Sequence, residues 1–152
     1  MPRSPLLYVL ADGGRARLVT RSAESRHYVT VEEIDHTDRL RALRRELRAT
    51  PPARVFSSHD ARRSAAGPED LLTPAKEAFM REVADRAIAR AGTGGLEGVV
   101  LVAAPRLLAA LRRRLDGRVR VAGTLGKNLT KSPDHTLGEW LDPPFPAFAA
   151  AS

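Results

Sequence analysis

Asp12 is the first residue in the chain whose type and position could do chemistry. It closes an apolar run, Leu6-Leu7-Tyr8-Val9-Leu10-Ala11, and is followed by Gly13-Gly14-Arg15-Ala16-Arg17 and a second apolar run. Asp-Gly between strand-like residues signals a hairpin, because glycine tolerates the positive φ that tight primed turns require. The hairpin places Asp12, Arg15 and Arg17 near one end of a sheet, offering a carboxylate for a metal ion or guanidinium groups for a phosphate. A nuclease built on two metal ions needs clustered carboxylates that hold the ions about 4 Å apart. The strand-like run 98–103, however, ends in Ala104-Pro105 with no acid at its tip. Glu69, Asp70 or Glu77 would have to complete the set from a loop or helix. Asp12 therefore reads first as a turn former, with metal-assisted catalysis as the weaker alternative.

Other chemistry is thinner. His59-Asp60 offers an acid/base pair with Ser57, Ser58 or Ser64 as nucleophile, but no nucleophile-elbow pattern surrounds them. His27, His36, His59 and His135 show no metal-ligand spacing, so no metal site is expected. Gly92-Thr93-Gly94-Gly95 precedes a strand and not a helix, the wrong context for a phosphate cradle. The basic residues form the better constellation. Arg15 and Arg17 on the hairpin, Arg62 and Arg63 in a long loop, and Lys127 with Lys131 near the end would converge if that loop folds over one sheet end. Such a groove binds a phosphate backbone through counterion release, with little base specificity. The competing reading is solvated charge and surface ion pairs, with Asp12 partnering Arg62 or Arg63. Arg112-Arg113-Arg114 and Arg44-Arg45 read as wet helix faces. With seven aromatic residues in the chain, stacking on single-stranded bases has little support.

The elements that must position these residues follow from periodicity. Residues 6–11, 16–21 and 27–34 read as three strands joined by short Gly- or Ser-containing turns, hence an antiparallel meander. Thr37 or Asp38 caps a helix with Leu40, Leu43 and Leu47 on one stripe, stopped by Pro51-Pro52. Residues 49–72 form a long irregular stretch. Thr73 as N-cap and Pro74 at the first helical position open a helix to about Ala91, which Gly92 ends. Residues 98–103 are continuously apolar, as in a strand covered on both faces. Pro105 starts a third helix, residues 118–123 read as the last core strand, and Pro133-Asp134 begins a short helix through Leu141. The order β-β-β-α-α-β-α-β predicts an α/β fold: a mixed sheet with an N-terminal antiparallel three-strand meander and packed helices, of ribonuclease H-like topology. The prediction is one domain over residues 1–142 and a Pro- and Ala-rich tail, 143–152.

Composition sets outer limits. One hundred and fifty-two residues suffice for one domain with a real core. No run approaches the roughly 18 apolar residues of a membrane helix, and the N-terminus lacks a signal-peptide pattern. Cysteine is absent, which excludes disulfides and thiolate metal sites. A cytoplasmic protein without membrane association is expected. The formal net charge of +7 makes polyanions plausible partners.

Four segments resemble the bacterial host-attachment protein family, whose members are also described as bacterial relatives of the archaeo-eukaryotic release-factor middle domain. They are Val9 to Leu18 at the hairpin, Arg62-Arg63-Ser64 in the loop, Leu101 to Arg112, and Leu125-Gly126-Lys127-Asn128-Leu129-Thr130-Lys131. The resemblance implies a ribonuclease H-like or release-factor-middle-domain-like fold and an RNA or ribosome setting, while the family name refers to attachment to host cells. Two departures stand out. Asn128 occupies a position where the family usually has Asp, and the Gly-Gly-Gln tripeptide of true release factors is missing. The resulting expectation is a non-catalytic RNA- or ribosome-associated protein, without cofactor, using Arg15, Arg17, Arg62, Arg63, Lys127 and Lys131. The alternatives are a metal-dependent nuclease or other hydrolase using Asp12 and the 57–64 loop, and a protein-interaction module for attachment.

Overall fold

A mixed sheet of six strands in the order β3-β2-β1-β4-β5-β6 organises the molecule. The computed structural model describes residues 5–22, 24–49, 71–142 and 149–150. Strands β1 (Leu6–Ala11), β2 (Arg15–Arg21) and β3 (Tyr28–Asp35) form the expected antiparallel meander, with Tyr8 opposite Val19 and Arg15 opposite Asp35. Helix α1 (Thr37–Ala49) follows. Helix α2 (Thr73–Thr93) leads into β4 (Gly98–Val102), and helix α3 (Pro105–Leu115) leads into β5 (Val121–Leu125). β4 runs parallel to both β1 and β5. A 3₁₀ turn (Asp134–Thr136), a one-turn helix α4 (Gly138–Leu141) and a two-residue edge strand β6 (Ala149–Ala150) complete the fold.

The central strands are apolar throughout because helices cover one face and the C-terminal segment covers the other. Leu7, Val9, Val99 and Leu101 pack with Phe79, Val83, Ala87, Leu111 and Leu115 of α2 and α3. Their neighbours Tyr8, Leu10, Val100 and Val102 pack with Leu125, Leu129, Leu137 and Leu141. The second layer is therefore made by Leu129, in a stretch that reads as polar, and by Leu137 and Leu141, one helical turn apart in the expected short helix. Close backbone approach explains Gly98: a Cβ there would meet the Arg120 carbonyl oxygen at 2.8 Å. That same oxygen accepts the Val99 N–H at 2.8 Å.

Several sequence expectations shift. The β1–β2 connection is no primed turn, since neither Gly13 nor Gly14 has positive φ. Instead Asp12 Oδ1 accepts the Gly14 N–H at 2.9 Å and the Arg15 N–H at 2.7 Å, so the aspartate side chain organises the turn. Gly14 packs closely against α1: a Cβ would stand 3.0 Å from Leu40 Cδ1 and 3.3 Å from Thr37 Cγ2, so those side chains would have to give way. Thr73 lies inside α2, which has Leu72 at the N-cap and no side-chain cap bond; the helix continues to Thr93, with Gly94 as its C-cap. β5 starts at Val121, three residues later than the apolar pattern of 118–123 suggests, because residues 116–120 close the turn after α3. On α1 only Leu40 is fully buried. The 57–64 loop, Arg62 and Arg63, Glu69, Asp70 and the tail outside 149–150 lie outside the described residues.

Candidate nucleic-acid interface

Parallel pairing of β1, β4 and β5 brings their carboxyl ends to one edge of the sheet. The Asp12–Gly14 turn, the start of α3 and the segment following β5 all meet there. Brackets of this kind, outside the carboxyl ends of parallel strands, are where open α/β sheets bind ligands.

Asp12 is fully engaged at this edge. Beyond its two turn bonds, Oδ2 accepts the Thr130 hydroxyl at 2.9 Å. Thr130 is buried, and Asn128 Oδ1 accepts its N–H at 3.1 Å and lies 2.7 Å from its Oγ1. One hydroxyl proton thus stands between two acceptors, and the pair locks the hairpin to the C-terminal segment. Among the described residues no three His, Cys, Asp or Glu side chains gather as a metal site.

Arg17 is placed inside the protein. It is 6% exposed, and Nη1 donates to the carbonyls of Leu129 and Thr130, each at 3.1 Å, and of Ser132 at 2.5 Å. Nε donates to Thr30 Oγ1 at 3.2 Å, and Nη2 donates to Asp134. Asp134 also accepts the Thr30 N–H at 3.1 Å and the Thr30 hydroxyl at 2.6 Å. Burial pushes the Asp134 carboxyl upward, but the bonds from Thr30 and Arg17 and the guanidinium charge outweigh it and hold the group below its ordinary range. The planar fork of Arg17 fastens the second core layer to the meander.

The remaining expected cations are more open. Arg15 is partly exposed and faces Asp35 at 3.5 Å. The Asp35 carboxyl is held low by the Thr37 hydroxyl and N–H, with Arg15 adding its charge. Lys127 stands with Nζ 5.1 Å from the centroid of the Trp140 ring. Lys131 is exposed and has no ion-pair partner among the described residues. The edge thus gathers Asp12, Arg15, Lys127 and Lys131, while Arg17 is internal and Arg62 and Arg63 lie outside the described residues.

Sequence reasoning passed over the first turn of α3. A Cβ on Gly126 would lie 3.8 Å from Pro105 Cγ, so the segment carrying Lys127 runs beside exposed Arg106. Between positions 105 and 132 stand eight arginines and lysines and a single acid, Asp116. None of the eight forms an ion pair among the described residues, whereas Arg17, Arg21, Arg86 and Arg90 all do. The imbalance was countable in the sequence, but its exposure and its meeting with Lys127 depend on the fold.

A family model described as "Protein required for attachment to host cells" matches residues 7–141. The chain belongs to this host-attachment family. The match spans all of the core elements from β1 to α4 and bears out the family resemblance of the four segments. No curated protein matches the chain. Among the described residues no helix is long and apolar enough to cross a membrane. In this member of the family, the hairpin that carries much of the resemblance uses Asp12 and Arg17 for its own architecture, and exposed positive charge stands on α3 and the segment that follows β5, as it does on α1.

Proposed function

We propose that this chain acts without catalysis, as an RNA- or ribosome-associated protein that grips a phosphate backbone with Arg106, Lys127 and Lys131. The supporting observation is the unbalanced charge of residues 105–132, whose cations, all but Arg114 exposed, are without carboxylate partners among the described residues. Paired arginines on a protein surface gain little from a polyanion, because an existing partner must be displaced. Unpaired cations beside one another release counterions from a nucleic acid when they bind it. Backbone contact of this type positions the protein without reading sequence, which suits the scarcity of aromatic residues.

The test is binding of the purified protein to ribosomes and to total RNA across a salt series, beside an Arg106→Ala/Lys127→Ala/Lys131→Ala variant. Affinity that falls steeply with salt, with a log–log slope reduced by about 2–3 in the variant, is the expected result. No binding at low salt, or a variant that binds like the parent, overturns the proposal. The family description favours one second reading, an interaction module that takes part in attachment to host cells. Cell-binding that survives nuclease treatment and is unchanged in the triple variant would select it.

A further inference from the structure

Helices α2 and α3 both run from the carboxyl edge of the sheet towards its amino edge, since α2 precedes β4 and α3 follows it through short links. They therefore lie side by side and parallel. An open groove of about 460 Å³ lies between the N-terminal part of α2 and the length of α3 from Leu107 to Arg114. Met80, Leu107 and Ala110 form its floor, and Arg113 and Arg114 stand on the α3 wall. The α2 wall is a single helical face, Thr73, Lys76, Glu77 and Met80, at the spacing of i, i+3, i+4 and i+7. At 1.5 Å per residue this face is about 10 Å long.

The geometry points to this cavity as a binding site for a small amphiphilic anion, an apolar chain ending in a carboxylate. Its volume falls in the range of small-molecule sites, roughly 300–1,000 Å³, and such sites pair an apolar lining with a few oriented polar groups. Met80 is 6% exposed and is continuous with the main core, so a chain laid on it is shielded from water on that side. Arg113 and Arg114 have no ion-pair partner among the described residues, although Glu77 stands on the opposite wall. A carboxylate at the α3 wall receives forked, charge-assisted hydrogen bonds from them. On the α2 wall the charges of Lys76 and Glu77 cancel, whereas the α3 wall carries two cations, so the ligand's carboxylate is drawn to the α3 wall. The site uses neither Arg106, Lys127 nor Lys131, and it stands independently of the RNA-binding proposal.

Decanoate below its micellar concentration is the probe, titrated calorimetrically into the full chain. Three variants accompany the parent: Ala110→Trp, which fills the floor; Arg113→Glu/Arg114→Glu, which reverses the wall; and Arg112→Glu/Arg118→Glu, which makes the same charge change outside the cavity. Saturable one-to-one binding by the parent and the outside variant, weakened about tenfold or more in the other two, supports the site. Absence of saturable binding by the parent, equal weakening in the outside variant, or undiminished binding by Ala110→Trp overturns it. Circular dichroism and thermal melts establish that each variant is folded, and Ala110→Leu replaces Ala110→Trp should the larger side chain prevent folding.

Discussion

Replacing Arg17 by alanine removes the donor that ties β2 to residues 129–134. Five acceptors lose their bonds: three backbone carbonyls, Thr30 Oγ1 and Asp134. Leu129 and Thr130 are buried, so their carbonyls have no ready access to water in exchange. Removing one member of a buried ion pair costs about 3–5 kcal/mol, because the partner groups stay desolvated. Asp134 is 38% exposed along its side chain, which lets water reclaim part of its share and places the expected loss at the lower end, about 3 kcal/mol. Arg17→Lys restores a charge but not the fork, and an expected loss of about 2 kcal/mol follows from the missing bonds. Trp140, the single tryptophan, lies in the segment that Arg17 holds, so its fluorescence in a urea titration reports the relevant unfolding. A midpoint for Arg17→Ala corresponding to less than about 1 kcal/mol would refute the claim that this arginine is structural. It would also return Arg17 to the candidate phosphate contacts.

Acid stability should carry the mark of depressed carboxylates. Burial pushes Glu32 upward, yet the hydrogen bonds and charges of Arg86 and Arg90 hold it below its ordinary range, as Thr30 and Arg17 do for Asp134. A group with a lowered folded pKa contributes stability above its unfolded value of about 4 and loses it as pH falls through the folded value. Urea midpoints are thus expected to decline below about pH 4, and less steeply in Asp134→Asn; an identical slope in that variant argues against the assignment. Gly98→Ala is expected to cost about 1–3 kcal/mol by forcing β4 and the Arg120 carbonyl apart, measured as a fall in urea midpoint; a neutral substitution would refute the close approach.

Much of the fold was legible because local rules and tertiary structure agree. The strand at Leu6–Ala11, the helix beginning at Pro105 and the unbroken apolar strand at Gly98–Val102 follow from hydrophobic runs, turn residues and proline, all of which act within a few positions. The meander and the mixed sheet follow from the lengths of the connections between them. Where the readings slipped, a nonlocal contact had decided. Gly14 reads as a turn glycine with free φ, but its φ is ordinary and what distinguishes it is close packing against Leu40 of α1. Leu129 stands in a stretch that reads as polar, yet with Leu137 and Leu141 of the short helix it forms half of a core layer, because the even-numbered side chains of β1 and β4 need cover.

The candidate site divides in the same way. Residue types and their order along the chain determined that this is an α/β protein of the host-attachment family, with excess positive charge and without cysteine chemistry. Which cations are free was decided only in three dimensions. Arg17 stands two residues after Arg15, and from sequence the two are alike. Strand alternation gives both the same face, but the segment at 129–134 closes over one and leaves the other at the rim. An ion's availability depends on what the rest of the chain brings to it, and those partners lie more than a hundred residues away.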